Sequence, residues 1–176
     1  MRKLMYFVMA VVLLACSEKP KGFDSKIFTE KEVSDFIALN PDWTKDATEA
    51  DITEKFKHKM INLSNEPNFL TEFPLQLTTI SDTVVSDQPV KIGVFKNFKD
   101  TARPKESLLN DLELEIRGIM PADQAASLTV DKKYILKGML FKQGKRADVK
   151  FSHEVEKPIY TLGKYTFWNI SPKEIK

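Results

Sequence analysis

The chain is 176 residues long and carries 27 Lys and Arg against 25 Asp and Glu, with two His and a single Cys. A formal net charge of +2 excludes the global basic field that gathers nucleic acid or anionic lipid, so any such binding must come from a local patch. One cysteine excludes a disulfide framework, and six thinly spread glycines form no phosphate loop, dinucleotide fingerprint or nucleophile elbow.

In chain order the first element is a leader. Arg2 and Lys3 precede an uninterrupted apolar run over residues 4–14, about half of the roughly 20 apolar residues that a membrane-spanning helix needs. The run closes on Leu13-Leu14-Ala15-Cys16. That ending resembles the lipobox of bacterial lipoproteins. The resemblance implies cleavage before Cys16, removal of residues 1–15 as a signal peptide, and a diacylglyceryl group on the Cys16 thiol, with the freed amine open to acylation. Each buried methylene contributes roughly 0.8 kcal/mol, so two or three acyl chains hold a protein durably at a bilayer without a spanning helix. The implied location is the cell envelope. Ser17, rather than an acidic retention residue, follows the cysteine and points to the outer membrane in preference to the inner. The mature chain would hold no thiol and 25 basic against 25 acidic residues, and residues 16–23, polar with Pro20 and Gly22, read as a lipidated tether.

A helical segment is expected over residues 24–66. Thr29 is placed to cap the first helix, Glu32 to complete a capping box, and Phe28 with Val33 to form a hydrophobic staple. Val33, Phe36 and Ile37 share a face. Asn40-Pro41 ends the run, and Trp43 is expected to pack in the turn. From about Thr48 a second helix sets Ile52, Phe56, Met60 and Leu63 in one apolar stripe. Lys55, Lys57 and Lys59 lie off that stripe, balanced by Glu49, Asp51 and Glu54, which makes a solvated face rather than a nucleic-acid or membrane surface.

From Phe73-Pro74 the periodicity becomes alternating, and residues 73–171 read as an antiparallel β domain packed with the helices as one unit. Leu75, Leu77 and Thr79 mark a first strand that Ser81-Asp82 ends. After the turn signal Asp87-Gln88-Pro89 a second strand covers residues 90–96, followed by a polar loop with Lys96, Lys99, Arg103 and Lys105. Leu112, Leu114 and Ile116 alternate with charged neighbours in a third strand, and Pro121 opens a short helix. Strands over residues 134–141 and 147–153 flank Gln143-Gly144-Lys145, which reads as a hairpin, and Leu162-Gly163-Lys164 reads as a turn into a last strand over residues 165–170. The fold class is α+β: a helical pair, then a barrel-like antiparallel domain with one short helix. The element order resembles an OB-fold, from which the additional terminal strand and the long third connection depart.

Catalytic and metal constellations are not expected. His58 and His153 have no partner histidine or cysteine at ligand spacing. Glu113 and Glu115 share a strand face and suit an acid/base pair, but a charged outer face opposite Leu112 and Leu114 accounts for them. The two Asn-x-Ser sequons at Asn62 and Asn169 are chance matches behind such a leader. The chain therefore reads as no enzyme, with no cofactor and no metal. Two function classes remain: a lipid-anchored binding module, or a structural subunit docking its helical part onto another envelope protein. The candidate ligand-binding residues are Phe141, Lys142, Lys145 and Arg146, an aromatic beside cations at a hairpin, and an oligosaccharide suits them better than a nucleic acid. Lys and Arg at such a tip also serve simply to keep an edge soluble.

Overall fold

The computed structural model describes residues 22–154 and 157–175. Residues 1–21, with Cys16 and nearly all of the tether, lie outside the described residues, as does the side chain of His153. Three helices, α1 (Phe28–Leu39), α2 (Asp46–Ser64) and α3 (Ala122–Ala126), accompany six strands. These are β1 (Pro74–Val85), β2 (Gln88–Lys96), β3 (Leu112–Met120), β4 (Lys133–Gln143), β5 (Lys150–Glu154) and β6 (Lys157–Ile175). The sheet order is β3-β2-β1-β4-β6-β5, and β3 also pairs with β6, in parallel, which closes five strands into a ring. The architecture is α+β with an OB-like barrel, and α3 sits in the connection from β3 to β4 as expected. The additional strand is not the terminal one, which closes the ring as β6, but β5. It is inserted between the last two barrel strands and adds to the edge of β6.

Alternation drives the barrel. Leu112, Leu114 and Ile116 of β3 point inward and are fully or almost fully buried, together with Leu75, Leu77, Phe95, Leu136 and Leu162. Glu113 instead accepts a hydrogen bond from Thr161 Oγ1 at 2.9 Å, and Glu115 pairs with Arg117 at 3.0 Å on the outer face. The helices cover the β5–β6 ribbon with the expected stripe: Ile52, Phe56, Met60 and Leu63 are all buried. Phe56 stacks on Phe151 of β5 at 4.4 Å, and Trp43 meets Phe151 at 5.1 Å and Tyr160 at 5.5 Å. One continuous apolar cluster joins helices and barrel.

Four local expectations give way to longer-range forces. Thr29 does not cap α1, whose N-cap is Ile27 without a side-chain cap bond. The Thr29 hydroxyl is buried and donates to the carbonyl of Phe69, while Glu32 is taken by Lys59 Nζ at 2.7 Å. Ser81-Asp82 does not end β1, because pairing with β2 carries the strand through to Val85. The turn is Ser86-Asp87, with φ of 50° and 62°, the left-handed pair that a two-residue hairpin needs to match strand twist.

Gln143-Gly144-Lys145 is not a hairpin either. β6 lies between β4 and β5, the Gly144 amide donates to the Lys164 carbonyl at 2.6 Å, and a short 3-10 turn, Arg146–Asp148, precedes β5. Leu162-Gly163-Lys164 is a bulge inside β6 where the β3 register shifts, and Gly163 supplies the φ of +104° that a side chain would resist.

Candidate ligand groove along β4

β4 is held unequally on its two sides. Along β6 it pairs from Lys133 to Gln143, whereas on β1 it pairs only at Pro74↔Ile135, Leu75↔Tyr134 and Gln76↔Lys133. Continuing that register would set residues 66–73 against the rest of β4. Those residues are wound into turns instead: Phe69 N donates to Glu66 O at 3.0 Å, Thr71 N to Asn68 O at 2.9 Å, and Glu72 takes a φ of 56°. A groove of about 550 Å³ is left between the turns and β4, lined on one side by Ser64, Asn65, Glu66 and Thr71 and on the other by Lys137, Gly138, Met139 and Leu140. Its volume suits a small-molecule or short-segment site. Phe69 and Phe167, parallel at 6.3 Å, also line it. Gln143 Nε2 donates to Ile61 O at 3.1 Å and Ser64 Oγ at 2.9 Å, tying the end of β4 to the last turns of α2.

Two register shifts against β6, at Lys137/Met139 and Leu140/Lys142, re-aim the side chains here. Met139 is 64% exposed and Phe141 55% exposed. Trp168 stands opposite Met139 in the β6 register, and its ring lies 5.4 Å from that of Phe141. Gly138 allows this close approach, since a Cβ there would stand 3.1 Å from Ile170 Cγ2. Met139 belongs to both the groove and the aromatic platform beside it.

Of the candidate residues, Phe141 and Lys142 lie on this strand, both exposed, and the structure adds exposed Lys137 to them. Neither Lys137 nor Lys142 forms an ion pair among the described residues. Lys145 and Arg146 are set apart from the platform. The Lys145 amide donates to Asp148 Oδ2 at 3.1 Å, and Arg146 Nη2 reaches Glu54 Oε2 at 2.5 Å and His58 Nε2 at 2.8 Å, fastening the 3-10 turn to α2. A hydrogen bond from Lys57 and the nearby Arg146 charge hold the Glu54 carboxyl below its ordinary range. Met139, Trp168 and Lys137 were not singled out from sequence. Met139 shares a strand with Phe141 at a spacing of two and was legible; Trp168 was not, because its place depends on bulges.

The buried polar groups elsewhere are already engaged. Glu30, 2% exposed, accepts from Ser107 Oγ at 2.5 Å, from the Leu108 amide at 2.8 Å and from Ser25 Oγ, joining α1 to the 3-10 turn Leu108–Asn110. The Tyr165 hydroxyl donates to Leu162 O at 2.7 Å, and burial pushes its pKa up. Among the described residues no group of three or more His, Cys, Asp or Glu is arranged to hold a metal ion, and no helix is long and apolar enough to cross a membrane. The groove thus offers a thioether, the Lys137 cation and a strand edge, and the platform beside it adds the Phe141 and Trp168 rings and Lys142. No protein-family model, curated protein or solved structure matches the chain.

Proposed function

We propose that this protein is a non-enzymatic binding module of the bacterial cell envelope, anchored by lipid on Cys16 and holding its ligand in the β4 groove. The observation that carries the reading is the solvent-facing Met139 and Phe141, with Trp168 half-buried against Phe141, beside a groove of about 550 Å³. Large apolar side chains on a barrel exterior forfeit burial, roughly 1.5–3 kcal/mol each, unless something covers them. The leader supports the anchoring half: an apolar run too short to span a bilayer ends on Leu13-Leu14-Ala15-Cys16. Docking through the α2 stripe is the weaker alternative, because that stripe is spent inside the molecule on β5 and β6.

The test has two arms on the full-length protein in cells. Cys16→Ser is expected to release the protein from the membrane fraction, and an unmodified Cys16 by mass spectrometry would remove the anchor. A photo-crosslinking amino acid at Met139 is expected to yield an adduct that the same group at exposed Val84, on the far β1–β2 hairpin, does not. Equal labelling at both, or none at Met139, would remove the groove as the site.

A further inference from the structure

We infer that the ligand of this groove is an extended polypeptide segment that adds as a strand to the open edge of β4. This inference rests on the binding-module reading above and names its ligand class. β1 leaves β4 after three residue pairs, and residues 137–142 make, among the described residues, no backbone hydrogen bond outside the β4–β6 ladder. At about 3.3 Å per residue those six positions present up to roughly 20 Å of edge, and the N–H and C=O groups not spent on β6 face outward along it, with the alternation interrupted at the two register shifts.

Unpaired backbone groups are the one feature of the groove that recognises another backbone rather than a small molecule. An added strand recovers those bonds, and side-chain pockets along the edge set its sequence preference. Met139 and Phe141, two residues apart and both exposed, call for apolar side chains at every second position of the ligand. Lys142, on the other alternation from Met139 and Phe141, calls for carboxylates between the apolar positions, and Lys137, in line with them at the near end of the edge, calls for one at that end; neither has an ion-pair partner among the described residues, and Glu66, the single acidic residue in the lining, pairs with neither. The opposite wall cannot supply the missing strand, since residues 66–72 are committed to their own turns.

The test uses the full chain, produced in a bacterial host and extracted in mild detergent. The probe is a peptide of about eight residues, alternating valine and phenylalanine with glutamate and threonine, long enough to run the edge. It is expected to bind and to slow amide hydrogen exchange over residues 137–142. The same peptide N-methylated at alternate residues should bind about tenfold or more weakly, since each lost backbone bond counts roughly 1 kcal/mol. Lys137→Glu with Lys142→Glu should weaken the acidic peptide and favour its lysine-for-glutamate counterpart. No peptide binding, equal binding of the N-methylated form, or unchanged exchange along β4 would overturn strand addition. Adducts at Met139 together with no peptide binding would overturn it while leaving the binding module in place with another ligand class, such as a glycan. No adduct at Met139 would remove both.

Discussion

Two aromatic clusters on this protein differ in one respect, whether a helix lies over them. On the β5–β6 ribbon, Phe151 and Tyr160 are covered by α1 and α2, and Phe56, fully buried, stacks at 4.4 Å. On the β4–β6 side, Phe141 meets Trp168 at a comparable 5.4 Å, yet Phe141 remains 55% exposed with nothing above it. Ring contact alone therefore says little about energetic role. The first cluster holds helices to the barrel; the second is an exposed surface that contributes little to stability and is the one proposed to meet a ligand.

The sharpest way to break this contrast is truncation on the covered side. Phe56→Ala should cost about 3–5 kcal/mol by denaturant unfolding, and a mild result would mean that α2 is not packed on the ribbon. Next comes Thr29→Val, which keeps the shape but leaves the Phe69 carbonyl without its donor. About 1–3 kcal/mol is expected, with Thr29→Ser recovering most of it; no loss in either variant would dismiss the bond between α1 and the groove wall.

Alkaline pH probes the covered cluster without substitution. Burial, with the Asp111 carboxylate adding to it, pushes the Tyr160 hydroxyl from its ordinary 10.0 up to about 12. The neutral form is therefore favoured in the folded state. Its contribution is fully present below pH 10 and is lost as pH rises toward 12, because the unfolded tyrosine ionises first. Tyr160→Phe should flatten that part of the stability curve, and an unchanged curve would place the alkaline loss elsewhere. Arg146→Ser should leave the midpoint within error, since the Glu54 pair is exposed and screened by water and salt. The uncovered side should likewise matter little to stability. Phe141→Ala should change stability by no more than about 0.5 kcal/mol while weakening ligand capture at Met139, and a loss near that of Phe56→Ala would make the two clusters equivalent.

Much of the architecture was legible before any coordinates. The stripe Ile52, Phe56, Met60 and Leu63, and the alternation of Leu112, Leu114 and Ile116, record burial directly as periodicity, so helix, strand and inward face followed from sequence alone. The charge balance and the Leu13-Leu14-Ala15-Cys16 ending are likewise properties of the chain itself. What only the tertiary structure decided is every feature that depends on a partner distant in sequence. Thr29 looked like a cap because capping is local, but its hydroxyl is spoken for by Phe69, 40 residues away. Gly144 and Gly163 both carry turn chemistry, and whether each makes a hairpin, a crossing or a bulge depends on which strand lies beside it. The groove is the extreme case: it exists because residues 66–72 coil where a neighbouring strand would lie, and an unpaired edge leaves no mark on the residues that compose it.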